Sequence, residues 1–152
     1  MRDNIHNLVS KNPLFTYHLA YNTYTIKPEQ ISAGKNAETL DLKNVVNLII
    51  MFIRTYAFNN GIWTTNTLDR LSVLKTRQLI NANTASEIEF AYNFLMKYRF
   101  KIQADSISRK MPLINKLNTK ELIEIELSVL KKVLALMPVY QSKIGIDFRI
   151  TT

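Results

Sequence analysis

Cysteine is absent from this sequence, and glycine and proline are scarce, with three and four copies in 152 residues. Without cysteine the chain can form no disulfide and no cysteine-ligated metal site, and such a composition fits a reducing compartment. Scarce glycine and proline argue against a turn-rich all-β fold and suit long helices. The length is that of one domain, so we expect a single domain over residues 1–152.

Long hydrophobic runs are also missing. The most apolar stretch, residues 45–53, is interrupted by Asn47 and is too short to cross a bilayer. The first residues lack the apolar run of a signal peptide. We therefore expect a cytoplasmic protein with no membrane segment.

Signatures of catalysis and metal binding are mostly missing as well. Each glycine stands alone, so there is no glycine-rich phosphate loop. His6 and His18 are twelve residues apart, whereas a metal-binding pair on one helix needs a spacing of three or four. No serine lies in a Gly-x-Ser-x-Gly turn. We expect a chain that is not an enzyme by itself and that holds no metal.

Positive charge is in excess, because 20 Lys and Arg residues oppose 12 Asp and Glu residues, for a net charge of +8. This balance points to an anionic partner, such as a nucleotide phosphate, an acidic protein surface or nucleic acid, or else serves solubility. The basic residues are scattered, with no run of five or six, and this argues against nucleic acid.

Apolar residues that recur every three or four positions predict two helices in the first half. Pro13 begins the first helix, to about Thr23, because proline is favourable at the first helical position. The central helix runs from Leu42 to about Asn60 and is apolar on more than one side, which indicates burial. Gly61 supplies its C-terminal stop.

Further helices are predicted in the second half. Asn66 or Thr67 caps a short helix. The next helix begins at a capping box, in which Thr84 and Glu87 each satisfy the other's free backbone N–H.

The last helix is predicted to start near Asn118 and Glu121, after a loop over residues 105–116. Pro138 lies inside this helix, where it removes a backbone hydrogen bond. We expect a kink between Leu134 and Pro138, or two helices with a break there.

Residues 25–41 have a strand-like pattern around a turn signal at 33–36, which predicts a small β-hairpin. The returning strand would be Thr39–Asp41. Together these elements predict an all-α fold, an antiparallel bundle of four to five main helices with a small hairpin near residues 25–41.

Several polar residues stand at helix ends or beside apolar faces, where a ligand site or a buried polar network would lie. Lys43 and Arg54 share one face of the central helix, and Arg99 and Gln103 are one turn apart. These residues could meet in one electropositive patch. The candidate substrate- or phosphate-binding residues are Lys43, Arg54, Thr67, Arg70, Arg99 and Gln103.

The other interpretation of these residues is structural. Arg54 or Arg99 would pair with Asp41 or Asp69 and tie helix ends together, because the planar guanidinium matches a carboxylate with two hydrogen bonds. On the residues alone, both interpretations stay open.

A series of motifs runs through the chain in a fixed order. They are Asp41-Leu42-Lys43, Arg54-x-Tyr56-Ala57-x-x-x-Gly61, Asn66-Thr67-x-x-Arg70-Leu71, Ala91-Tyr92-x-Phe94-Leu95-x-x-x-Arg99-x-x-x-Gln103 and Leu117-Asn118-x-x-Glu121-Leu122. This series resembles the nucleotidyltransferase substrate-binding domain that forms the C-terminal part of the DUF294 family. The resemblance covers about residues 13–148, and residues 1–12 would be an N-terminal extension.

The resemblance implies a bacterial helical bundle that follows a nucleotidyltransferase-like domain and holds the acceptor substrate or the nucleotide against it. In that family the catalytic domain carries a Gly-Ser turn and paired aspartates that bind magnesium, and neither motif is present here. The resemblance therefore implies an accessory chain with no cofactor of its own. Magnesium and a nucleoside triphosphate are expected only with a catalytic domain, in cis or in trans.

Two other functions stay open. One is a structural or dimerisation module, which surplus apolar surface would support. The other is an RNA-binding bundle of the ribonuclease toxin type, whose chemistry needs a histidine four to six residues after an arginine. Residues 100–105, which follow Arg99, contain no histidine, and this argues against it.

Overall fold

The computed structural model describes residues 12–27 and 39–150. Within these residues the chain forms five α-helices and a two-stranded sheet, so the predicted all-α class is confirmed. The elements are α1 (Pro13–Thr25), β1 (Thr39–Asp41), α2 (Leu42–Asn59), α3 (Thr67–Thr76), α4 (Ala82–Ser108), β2 (Lys116–Asn118), a 3-10 turn (Thr119–Glu121) and α5 (Glu124–Asp147). In the described ranges, no helix combines the length and the apolar character that crossing a bilayer requires.

Helix α2 lies at the centre of the fold and contacts each of the other four helices. Ten of its 18 residues are buried, so it is enclosed on several sides, as its sequence predicts. Phe52 is fully buried, and its ring centroid lies 4.8 Å from that of Tyr56 and 5.1 Å from that of Tyr140 on α5. Aromatic packing therefore joins α2 to α5 in the middle of the core.

Side-chain caps fix the starts of helices α1 to α4. Asp41 caps α2 by accepting from the N–H of Lys43 at 2.9 Å, and Asn66 caps α3. The predicted start of α4 is wrong: Asn81 is the cap and accepts from the N–H of Thr84 at 2.8 Å. Because Asn81 supplies the oxygen, Thr84 already lies within the first turn.

Two boundaries in the second half also differ from the predictions. Helix α4 continues to Ser108, into the segment predicted as a loop. Asn118 caps the 3-10 turn rather than the last helix, and α5 begins only at Glu124. The backbone N–H of Ile123 is satisfied by the carboxylate of Glu126 at 3.3 Å, which stabilises this later start.

Pro138 does not divide the last helix in two, because α5 is continuous from Glu124 to Asp147. Pro138 is exposed, whereas its neighbours Met137 and Gln141 are buried against the bundle. Packing on both sides of Pro138 therefore outweighs the lost hydrogen bond.

The two short strands come from distant parts of the chain. Strand β1 pairs antiparallel with β2, with Thr39 opposite Asn118, and the central pair of leucines, Leu40 and Leu117, is buried. The predicted strand at Thr39–Asp41 is confirmed. Its partner, however, comes from the end of the segment predicted as a loop. The turn and the other strand proposed for the hairpin fall mainly in residues 28–38, outside the described residues, and Thr25 ends α1.

Polar contacts join α5 to α1 and α2. The amide nitrogen of Gln141 lies 3.1 Å from the carbonyl of Thr23 and 3.0 Å from that of Tyr24, and so ties α5 to the end of α1. The hydroxyl of Tyr56 donates to Asp147, which also pairs with Lys143 at 2.9 Å. Partial burial raises the pKa of Asp147, but the hydrogen bonds from Tyr56 and Lys143 outweigh it, and the pKa is lowered.

This lowered pKa predicts a loss of stability in acid. A carboxyl whose pKa is lower in the folded state stabilises the fold above its unfolded pKa of about 3.9, and the contribution disappears as the pH falls through the folded value. We expect Tyr56→Phe to destabilise the protein at neutral pH by about 1 kcal/mol, because solvent screens the hydrogen bond to the partly exposed carboxylate of Asp147. The difference from the wild type should shrink as the pH falls below about 4.

Thermal unfolding monitored by circular dichroism from neutral pH into acid measures this difference. Tyr21→Phe is the matched control, because Tyr21 is 43% exposed and donates no hydrogen bond to a carboxylate in the described part of the chain. A difference between Tyr56→Phe and the wild type that stays constant with pH would contradict the assignment.

Candidate functional site

The predicted polar residues do not meet at one point. Lys43 stands at the start of α2, and Arg54 follows eleven residues later, which corresponds to about 16 Å along the helix. Two separate groups form instead. Arg54 lies with Arg70, while Arg99 and Gln103 share a partner near the start of α2.

The first group, called here the arginine pair, consists of Arg54 on α2 and Arg70 on α3. Phe58 lies one turn after Arg54, on the same side of α2. The cap at Asn66 starts α3 so that Arg70 falls in its second turn. The guanidinium carbon of Arg70 then lies 5.3 Å from the centroid of the Phe58 ring, a cation–π contact.

The arginine pair is short of hydrogen-bond acceptors. Arg70 is only 7% exposed, and the Nε atoms of both arginines are buried without a hydrogen-bond partner. Burial, followed by the like charge of Arg54, lowers the pKa of Arg70. Within residues 12–27 and 39–150 neither arginine forms an ion pair with a carboxylate. Buried charges in proteins are normally paired, so this arrangement indicates a site where a bound anion would supply the missing negative charge.

Two other predicted residues lie next to the arginine pair. Thr67 is the first residue of α3, half-buried and one turn before Arg70. Asp69 is exposed in the first turn of the same helix, where its backbone N–H bonds to Asn66 at 3.2 Å. The structural pairing of Asp69 with Arg54 or Arg99 is therefore not formed in the described chain.

Aromatic rings border the arginine pair, and the sequence analysis did not single them out. Trp63, in the connector after α2, stacks on Phe58 with a centroid distance of 5.0 Å and an interplanar angle of 23°. Phe15 on α1 lies 6.2 Å from Phe58 on the same measure. Trp63 is half-buried and Phe15 is 40% exposed, so part of this surface faces solvent. The spacing of four residues between Arg54 and Phe58 is the one feature of the sequence from which an aromatic ring beside the arginine pair could have been predicted.

The second group centres on Asn115, which the sequence analysis also missed. Its side-chain oxygen accepts from Nε of Arg99 at 2.9 Å and from the amide of Gln103 at 3.1 Å. Its backbone carbonyl accepts from the N–H of Leu42 at 2.9 Å. These bonds tie the end of α4 to the start of α2. Lys43, which directly follows Leu42, is exposed, and Asp41 caps α2.

The groove beside α5 and the predicted polar residues are found in different places. A groove of about 590 Å³ lies between the end of α1 and α5, lined in part by Tyr24, Gln141 and Gly145. None of the eight predicted polar residues lines it. In the part of the chain that the structure describes, no group of three His, Asp or Glu side chains is placed to hold a metal ion.

The Asn115 contacts predict an energetic coupling between α4 and the loop that follows it. We expect a double-mutant cycle of Arg99→Ala and Asn115→Ala to give a coupling of about 1 kcal/mol, because a charge-assisted hydrogen bond is removed. Chemical denaturation of the four proteins measures it. The matched control cycle pairs Asn115→Ala with Lys75→Ala, an exposed residue of α3 for which we expect no coupling. Equal values in the two cycles would contradict the role assigned to Asn115.

The comparisons with known proteins give one match. The family model described as "Putative nucleotidyltransferase substrate binding domain" matches residues 14–148 of the 152-residue chain. No curated protein and no solved structure matches the chain. The matched range begins at the second residue of α1, includes both groups of polar residues, and ends at Phe148, directly after α5. The chain therefore belongs to the family of nucleotidyltransferase substrate-binding domains.

Proposed function

We propose that this chain is a non-catalytic accessory domain that holds an anionic substrate against a nucleotidyltransferase catalytic domain. Family membership supports an accessory role beside such a domain. The substrate is either the acceptor molecule or the nucleotide. The natural setting that we propose is a bacterial cytoplasmic signalling protein.

The observation that carries this proposal is the arginine pair. Two guanidinium groups of like charge, one of them 7% exposed, lie together with unsatisfied Nε atoms and no carboxylate partner among the described residues. An oxyanion bound to the guanidinium groups would accept charge-assisted hydrogen bonds, each roughly twice as strong as a neutral one. The free protein gains no such bonds, which makes the pair an unfavourable arrangement until a ligand binds.

The chemistry of transfer would come from the catalytic domain, supplied in cis or in trans. That domain would bring magnesium and the nucleoside triphosphate, since the Gly-Ser turn and the paired aspartates are missing from this sequence. Lys43, Arg99 and Gln103 stay predictions as ligand-binding residues. Among them Arg99 and Gln103 already share Asn115, so they offer fewer free donors than the arginine pair.

Stabilisation by anions tests the proposed function. We expect phosphate, pyrophosphate or citrate to raise the melting temperature of the full chain, because a ligand at a hundred times its dissociation constant adds about 2.7 kcal/mol. Arg54→Met should remove the effect. Arg109→Met, at the exposed C-terminal cap of α4, is the matched control and should keep it. Anions that stabilise both variants equally would refute a site at the arginine pair.

A second candidate function is supported by the outer face of α4. Phe90, Phe100 and Ile107 are 57%, 61% and 67% exposed on the side of α4 away from the core. The opposite side of α4 is buried against the bundle through Ala91 and Leu95. These exposed apolar side chains share the outer face with Lys97 and Lys101. They would be covered if a second copy of the chain packed on this face, which is the partner in the dimerisation alternative.

Sedimentation velocity at low and high protein concentration tests this alternative. If the module dimerises through α4, the wild type forms a dimer at high concentration and Phe100→Asp remains a monomer. Ile125→Asp, at a position 72% exposed near the start of α5, is the control and should behave like the wild type. A wild type that is monomeric throughout excludes dimerisation.

A further inference from the structure

The arginine pair presents more donors than a single carboxylate can use. Each guanidinium carries five N–H donors in a planar fork, and these two arrive from different helices, α2 and α3. A carboxylate has two oxygens and is matched by one fork. A phosphate monoester has three terminal oxygens, and two forks can approach it from different sides. The number and the origin of the donors therefore favour phosphate.

The rings next to the pair add a second kind of surface. Phe58 contacts the Arg70 guanidinium and stacks on Trp63, so the buried cation and the half-buried Trp63 side chain are linked through one ring. Flat aromatic surface beside a phosphate site is what a nucleotide needs, because its base stacks on rings while its phosphate binds cations. An acidic peptide would use the arginines and leave the rings without a role.

We propose that the arginine pair and Trp63 form a nucleotide site, in which Arg54 and Arg70 bind the phosphate and the indole of Trp63 stacks on the base. The inference rests on the proposed function, since it names the anionic substrate held at the arginine pair. Stacking accepts any base, so the site takes nucleotides as a class.

Trp63 is the sole tryptophan of the chain, so its fluorescence reports directly on the site. The full chain is titrated with inorganic phosphate, citrate, uridine, UMP and AMP. We expect UMP and AMP to change the emission and to bind about tenfold or more tightly than phosphate, because stacking on a base adds affinity. Uridine alone, without the phosphate, should bind more weakly than UMP.

Two variants separate the parts of the site. Trp63→Leu, followed by thermal shift, should keep phosphate binding and lose the preference for nucleotides. Arg70→Met should lose both. It should also leave the free protein as stable as the wild type or raise its melting temperature by about 2 to 4 °C, because a buried charge without a counter-ion is removed. Arg54→Met, at a half-buried position, repeats the test if Arg70→Met does not fold.

The outcomes separate the inference from the proposed function. Phosphate that binds as tightly as UMP, or citrate that binds more tightly than UMP, would overturn the nucleotide site and leave the anion-holding function standing. If none of the five compounds binds, both fail. A lower melting temperature for Arg70→Met with nucleotide binding retained would overturn the nucleotide site and assign Arg70 to packing on Phe58.

Discussion

The enclosure of α2 by the other four helices is the constraint on which the rest of the structure depends. A helix with so many buried positions can carry polar side chains only where they find a partner or reach an edge. Thr55 meets this requirement through the buried hydroxyl of Thr23, at 3.3 Å, and through the carbonyl of Met51, at 2.8 Å. Arg54, the next residue back along the helix, stands at the edge of the enclosed surface and meets it only in part. The packing that stabilises the bundle is thus the reason why the Nε of Arg54 is buried without a hydrogen-bond partner.

The two groups of polar residues differ in whether their hydrogen-bond donors find acceptors within the chain. Around Asn115 the Nε of Arg99 and the amide of Gln103 both find an acceptor within the chain, and with the bond from the N–H of Leu42 these contacts join α4 to α2. At the arginine pair, by contrast, the Nε atoms of both arginines lack an acceptor, and the charge of Arg54 lowers the pKa of Arg70. A fold gains stability from the first arrangement and loses it in the second. Natural proteins often retain destabilising arrangements where function requires them. This difference makes Arg54 and Arg70 the better candidates for a functional site.

The sequence allowed the helices to be predicted because apolar periodicity is a local signal, and α2 was placed to within a residue by Leu42 and Gly61. Predictions that depended on choosing between neighbouring polar residues failed more often. Asn81 and Thr84 are both able to cap a helix, and only the position of α4 against the core decides between them. The partner of β1 and the role of Asn115 arise between elements distant in the chain, so no local pattern predicts them. The stacking of Trp63 on Phe58 depends on the path of the connector after α2, which has no helical or strand periodicity. The arginines could be proposed from their unusual positions, but their separation from Arg99 required the fold.

The pairing of β1 with β2 also bears on the order of events when the chain folds. Thr39 and Asn118 are 79 positions apart, and closing a loop of that length costs about 4 kcal/mol of chain entropy before any contact is gained. Two strands of three residues cannot supply that free energy on their own. They can pair only after α2 and α4 have packed and brought their ends together. The small sheet therefore forms late, and its buried pair, Leu40 and Leu117, joins the hydrophobic core only at that stage.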